Sequence, residues 1–266
     1  MRSSLKSVMR LIDVATEKLS VEDAFLADLK RSIELTANKE SKLPSQTYKP
    51  SGMQCIRAMY YQVAGKEPDP ASATYCLVGI CNSGSDIHQR IQQSVIDMKD
   101  NGIDCEYINV AEFVKSRNLD YLDIVKEPDF ENHDYETKLY HKTLNMSFLC
   151  DGIIRYQSKY YVLEIKSESS SKWLYREGVD KKHEHQGIAY PTVFNLDDTI
   201  FLYVNRDNLD MKAYMFHVTN EMKQALLGLI EECEGYVKRM ITPPKPELPK
   251  GVCTYCMYKE RCRKED

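Results

Sequence analysis

Apolar and polar positions alternate most sharply over residues 148–166, FLCDGIIRYQSKYYVLEIK. The run predicts two short β-strands joined by a polar turn at Gln157-Ser158-Lys159, because strand side chains alternate faces with a period of two. Tyr160, Val162, Glu164 and Lys166 share one face. Tyr161, Leu163 and Ile165 share the other, which is expected to meet the core. At the N-terminus the spacing is helical: Leu11, Val14, Ala15 and Leu19 recur on one side, and a second helix covers roughly 21–37, started by Ser20 with Asp23. Further helices are expected from near Met53, over 85–99 with a stop at Asn101-Gly102, around Gln186 and Tyr190, and over 220–240. Strands are expected over 104–110 and 136–144, around a polar excursion, VKSRNLDYLDIVKEPDFENHDY. TIFLYVNRDN and DMKAYMFHVT supply two more, flanking a turn at Arg206-Asp207-Asn208. GKEPDPASAT and the proline-rich TPPKPELPK read as linkers.

The chain of 266 residues, 42% hydrophobic, is long enough for one elaborated core. No run of about 18 apolar residues occurs, so no transmembrane helix is expected. The first residues lack the apolar centre of a signal peptide and read as an amphipathic helix; a cytoplasmic location follows, in a cell or in the host of a virus. A net charge of −4 disfavours a passive DNA-coating protein but leaves open a site whose basic residues are local. Nine cysteines, an odd number in an apparently cytosolic chain, disfavour a disulfide framework.

Candidate chemistry begins with Asp151 beside Glu164-Ile165-Lys166. An acid on one strand next to acid-x-Lys on the following strand gathers two carboxylates and an ammonium around one small volume. The carboxylates repel unless a proton or cation lies between them, and Mg²⁺ or Mn²⁺ suits the oxygen ligands. The literal Pro128-Asp129 is set aside, because it lies far upstream of Glu164 in an acidic, loop-like setting. In the polar tail, Cys253, Cys256 and Cys262 have a metal-ligand spacing and leave a tetrahedral site one ligand short. Lys172, Trp173, Tyr175, Arg176, Lys181 and Lys182 mix cations with aromatics, which suits either a single nucleic-acid strand or a solvated loop. His183 and His185 are read as surface residues, and Cys76, Cys81, Cys105, Cys150 and Cys233 as buried thiols, with Cys76 or Cys81 in reserve as ligands.

D-G-I-I…E-I-K resembles the core of the PD-(D/E)XK nucleases, in the RecB-like branch, without the proline of the nominal motif. The resemblance implies that Asp151, Glu164 and the backbone carbonyl of Ile165 hold the metal, while Lys166 positions or deprotonates the attacking water. It also implies a metal-binding histidine in an upstream G-x-x-x-H helix, matched by Gly84 to His88. A Q-x-x-x-Y pair near DNA on the helix after the core strands is matched by Gln186 and Tyr190. Iron–sulfur members of this branch place one cysteine far upstream and three near the C-terminus, so Cys55 joins Cys253, Cys256 and Cys262. Four thiolates suit a [4Fe-4S] cluster or Zn²⁺, and the resemblance to CRISPR-associated adaptation nucleases, the AddB nuclease domain and stand-alone phage relatives favours the cluster.

The expected fold is therefore α/β: a restriction-endonuclease-like mixed central sheet flanked by helices, with a small C-terminal cluster-binding subdomain. Residues 1–45 form a helical extension that could meet a protein partner, 46–242 the nuclease core, and 243–266 the cysteine segment. The expected function is a metal-dependent exonuclease on single-stranded DNA ends. The alternatives are a catalytically weak DNA-binding or regulatory module of the same fold, and a zinc-clasped structural protein.

Overall fold

The computed structural model describes residues 20–39, 45–69, 73–248 and 251–265. They fall into two compact units. The first comprises Met1–Lys42 and Ser72–Ile80, and the second Leu43–Ala71 and Cys81–Asp266. In the first unit, helix α1 (Val21–Lys39) starts where Ser20 and Asp23 indicated. The Asp23 amide donates to Ser20 Oγ at 3.1 Å, and that hydroxyl donates to Asp23 Oδ2 at 2.9 Å, a reciprocal cap. The Tyr75 amide donates to Glu34 Oε1 at 3.0 Å in the same unit. The apolar pattern of residues 11–19 lies outside the described residues.

The second unit is built on a five-stranded mixed sheet in the order β1-β5-β6-β7-β8. Helix α2 (Ile56–Val63), the long helix α3 (Tyr75–Asp100, of which 81–100 belong to this unit), β1 (Cys105–Ile108) and helix α4 (Val110–Ser116) come first. A three-stranded sheet follows, β2 (Leu122–Lys126), β3 (Thr137–His141) and β4 (Met146–Cys150), and then β5 (Gly152–Tyr156) and β6 (Lys159–Glu168). After the short helix α5 (Ser170–Trp173) come α6 (Glu184–Phe194), β7 (Asp198–Asn205), β8 (Met211–His217), α7 (Asn220–Arg239) and α8 (Lys259–Lys264). Only β6 and β7 pair in parallel within the large sheet. The expected α/β architecture of a mixed sheet flanked by helices is present. No helix among the described residues is long and apolar enough to cross a membrane.

Several boundaries differ from the expectations, each for a local reason. The strand expected to reach residue 110 stops at Ile108, because Asn109 Oδ1 accepts the amides of Ala111 and Glu112 and starts α4. The polar excursion contains the end of α4 and all of β2. Strand β2 carries Leu122, Ile124 and Val125 inside that excursion and pairs with β3. Helix α3 begins ten residues before the expected 85, running through Gly79 and Gly84. The first of the two strands read in 148–166 is broken at Asp151: β4 belongs to the small sheet and β5 to the large one. The turn of the second hairpin, at Gln157 and Ser158, has φ of 48° and 67°, the left-handed pair of a tight hairpin turn.

Strand β6 carries core on both faces. Val162 packs with Ile153, Tyr190 and Phe194 on one side, and Leu163 and Ile165 with Ile87, Ile154 and Val204 on the other. One apolar face was expected, but a central strand covered by helices on both sides buries both. Helix α6 sits tightly on this sheet. A Cβ on Gly187 would come within 2.8 Å of the buried Phe201 ring. Pro191, inside the helix, removes the amide that would pair with the Gly187 carbonyl, and Thr199 Oγ1 donates to that carbonyl instead at 3.1 Å. The helix therefore runs unbroken for 11 residues to Asn195, whose φ is 53°.

Gly187→Ala is expected to lower unfolding stability by about 1–3 kcal/mol through overpacking against Phe201, read as a lower urea midpoint with an unchanged slope.

Candidate metal centre and cysteine cavity

The break between the two sheets positions the first acid. Asp151 follows Cys150 of β4 and precedes Gly152 of β5, so its carbonyl is not paired in a ladder. Gln92 Nε2 of α3 and the Tyr107 hydroxyl of β1 each donate to it at 2.6 Å. Tyr107 can approach only because residue 152 is glycine: a Cβ there would lie 2.6 Å from the ring. The buried Asp151 carboxylate then turns toward β6, where the Ile165 amide donates to Oδ2 at 2.7 Å.

Around it lies a cleft of about 390 Å³ lined by His88, Asp151, Glu164, Lys166, Gln186 and Tyr190, together with Lys49, Lys138 and neighbouring residues. The six polar side chains expected in one site are therefore together. His88 Nδ1 lies 3.4 Å from Asp151 Oδ1. Lys166 Nζ donates to Glu164 Oε1 and to Gln186 Oε1, the latter at 3.0 Å. Gln186 Nε2 reaches Glu164 Oε1 and the Tyr190 hydroxyl, both at 3.2 Å.

Glu136 is an acid that the sequence reading missed. Its Oε1 lies 3.8 Å from His88 Nδ1. One ligand atom each from His88, Glu136 and Asp151 falls within 4.8 Å of the others. A cation about 2.1 Å from its ligands holds opposite donors about 4.2 Å apart, and the His88–Asp151 and His88–Glu136 separations of 3.4 and 3.8 Å fall inside that span. A hairpin register could have found Glu136. Thr137 of β3 pairs with Cys150 of β4, which sets Glu136 opposite Asp151. Asp129 takes no part in the cleft; its carboxylate accepts from Asn132 in an exposed turn.

The charges are mutually dependent. Burial raises the pKa of Glu164 to about 7, against the pull of Lys166. Burial raises that of Glu136 too, and the Asp151 carboxylate adds to the rise. Burial opposes ionisation of Asp151, yet His88, Lys166 and the Ile165 amide hold it below the usual carboxyl range. Burial also disfavours charge on Lys166, but Glu164 and Asp151 outweigh it and keep the ammonium protonated.

His183 and His185 are not the surface residues expected. His183 stacks on Phe201 and Tyr203, meets the Tyr203 hydroxyl at 3.0 Å, and is pushed down to about 3, chiefly by burial. His185 Nδ1 is buried. Neither lines the cleft. In the mixed cation and aromatic stretch, Arg176 is bound to Glu168 and Asp180, and Lys212 lies over the Trp173 ring, so part of that stretch is structural.

Cys55, Cys253, Cys256 and Cys262 line one cavity of about 130 Å³, with Cys55 at the N-terminus of α2. The segments that supply them are tied together. The Asp69 carboxylate accepts the amides of Glu260 and Arg261 at 2.6 and 3.0 Å, and the Asp69 amide donates to the Met257 carbonyl at 2.7 Å. Cys105, Cys150 and Cys233 are buried as expected, whereas Cys76 and Cys81 are exposed on α3. Neither of these two lines the cysteine cavity, so they make no reserve ligands.

No family model and no curated protein matches the chain. Among solved structures it is similar to the crystal structure of SSO0001, at 17% identity and a TM-score of 0.48, over 89% of this chain and 96% of that one. It is also similar to LHK-Exo in complex with dAMP, at 8% identity and a TM-score of 0.41, over 73% of this chain and 91% of that one.

Two outcomes follow from the cleft. Glu136→Gln is expected to weaken Mn²⁺ binding, read by calorimetry, by at least the roughly 10–100-fold typical of outer-shell partners. Because the Glu164 pKa is raised on folding, the metal-free fold favours its protonated form; that stability is full below the ordinary carboxyl value and is lost as pH rises through about 7. The cation competes with the same proton, so the rise in Tm on adding Mn²⁺ is expected to be smaller at pH 6 than at pH 8.

Proposed function

We propose that the protein is a metal-dependent deoxyribonuclease of the RecB-like PD-(D/E)XK type, acting as an exonuclease on single-stranded DNA ends. The observation that carries this reading is the convergence of His88, Asp151, Glu164, Lys166, Gln186 and Tyr190, from α3, the sheet junction, β6 and α6, on one cleft. His88, Glu136 and Asp151, joined by Glu164 and the Ile165 carbonyl, would hold Mg²⁺ or Mn²⁺, and the separations of the first three suit such an ion. Bound there, the cation supplies charge stabilisation at the phosphate and a lowered pKa for the attacking water.

The remaining roles belong to the chain. Lys166 is held as an ammonium between Glu164 and Gln186, so it orients the water rather than deprotonating it. Lys166 and Gln186 both bond to Glu164 Oε1 and fix how its carboxylate faces the cleft. Gln186, bonded to both Glu164 and Tyr190, fixes the carboxylate while Tyr190 sets the position of the strand.

The four cysteines are read as ligands of a [4Fe-4S] cluster that clasps α2 to the C-terminal segment. The support for this reading is that the four cysteines line one cavity of about 130 Å³. Four thiolates suit Zn²⁺ as well, and the resemblance stated above favours the cluster. The division into a core over 46–242 and a cysteine segment over 243–266 belongs to this reading. So does a protein partner at the N-terminal helices, supported by the exposed Val21, Phe25 and Leu29 of α1.

The test is digestion of end-labelled linear single-stranded DNA, with a closed circular control, in Mn²⁺ and in EDTA. Lys166→Ala is expected to lower the Mn²⁺-dependent rate by about 10²–10⁴-fold, with circles spared throughout. Cleavage unaffected by EDTA or by the substitution would overturn the assignment. Absence of cleavage by metal-loaded wild type would leave a DNA-binding or regulatory module of the same fold. Cys55→Ala is expected to give a colourless, poorly soluble protein, with iron and sulfide lost together on elemental analysis.

A further inference from the structure

The catalytic cleft does not end at the metal centre. Lys49 and Ser51, flanking Pro50 in the 3₁₀ turn Pro50–Gly52, line both that cleft and a second cavity of about 380 Å³. The two therefore meet across one turn. The second cavity runs over the cysteines, past Lys182, to Tyr255. Its composition departs from that of the chain as a whole. With a net charge of −4 the chain carries more acids than bases, yet no carboxylate lines this cavity among the described residues. Lys49 and Lys182 do line it, Lys138 lines the cleft, and none of the three forms an ion pair among the described residues.

Two details build the far end. Gln54 Nε2 donates to the Lys182 carbonyl at 2.5 Å, tying the loop before α6 to the turn before α2. Gly251, with φ of 93°, turns the backbone past Lys182, whose Nζ lies at van der Waals distance, 3.8 Å, from where a Cβ would stand. Lys182 thus faces the C-terminal segment, and the same cavity is lined by Tyr255, a residue 87% exposed. An exposed aromatic and ammonium groups without ion pairs lining one cavity, with no carboxylate in its wall, make an arrangement that suits an unpaired strand: cations follow the phosphates and the ring takes a base.

We propose that this lysine-lined groove is the path of single-stranded DNA between the cleft and the C-terminal cysteine segment, with Lys49 at the junction, Lys182 on a phosphate and Tyr255 stacked on a base. The proposal rests on the nuclease reading for the strand's chemistry at the cleft, and it assigns a binding surface beyond that cleft. A duplex would keep its bases stacked on one another and leave Tyr255 without a base, so the groove selects unpaired ends.

The experiment is fluorescence anisotropy of end-labelled single-stranded oligonucleotides of 2, 4, 8 and 12 residues, with Ca²⁺ in place of Mg²⁺. Wild type, Lys182→Ala, Tyr255→Ala and Tyr255→Phe are compared, with circular dichroism to verify folding. Wild-type affinity is expected to climb with length and level off. Tyr255→Ala should weaken the 8-mer about tenfold and flatten that climb, and Tyr255→Phe should restore it. Lys182→Ala should reduce the slope of log affinity against log salt by about 0.7. Affinity independent of length, or variants that bind the 8-mer as wild type does, overturns the path; if wild type still degrades DNA in Mn²⁺, the nuclease reading stands without it. Length-dependent binding that Tyr255→Ala weakens, in a wild type that degrades nothing, supports the path and removes the nuclease instead.

Discussion

The constraint on which the second unit depends is the satisfaction of Asp151. It lies where the chain leaves one sheet for another, so its peptide group has no ladder partner, and its carboxylate is buried. Both needs are met by side chains and backbone that the surrounding elements bring. Gln92 comes from α3, Tyr107 from β1 and the Ile165 amide from β6. An unsatisfied buried group costs about 1–3 kcal/mol, more when charged, so these partners are structural necessities. They also fix where the carboxylate points. The stability of the sheet junction and the geometry of the candidate metal centre are set by the same few bonds.

Glu164 and Lys166 extend that logic along β6. They share a face with Val162, whose side chain is wholly enclosed, and they lie where that apolar layer opens into the cleft. Charged groups at the rim of a core have few solvent partners and bind one another instead. Gln186 closes the set from α6, and α6 holds its place through the bare Gly187 and through Thr199 standing in for the missing proline amide. An apolar seam on one side of the helix thereby sets a polar contact on the other.

How much of this was legible in the sequence follows from the range of each interaction. Period-two spacing put Glu164 and Lys166 on one face, and i, i+4 spacing put Gln186 and Tyr190 on one side of a helix; both relations are local and both appear in the structure. The shared cysteine cavity was readable through a resemblance rather than through any local pattern. Glu136 opens the strand expected over 136–144, yet its relation to Asp151 depends on the register of β3 against β4, a long-range pairing that no local spacing encodes. His183 and His185 look like surface residues in a polar run, and only the rings of Phe201 and Tyr203, supplied from β7, enclose His183. The break at Asp151 was illegible for a related reason: nothing in FLCDGII distinguishes one continuous strand from two strands in different sheets.

The cysteine cavity carries a consequence for the order of synthesis. Cys55 belongs to an early segment, and its three companions lie nearly two hundred residues later. A ribosome adding about 5–20 residues per second reaches them on the order of 10–40 s after Cys55 is made. During that interval the sheet can assemble while the N-terminus of α2 still lacks its companion segment. The Cys55 thiol and the side of α2 that later meets the C-terminal segment are then open to solvent and to oxidants. A nascent chain with this topology is most vulnerable late in translation, when nearly everything else has folded.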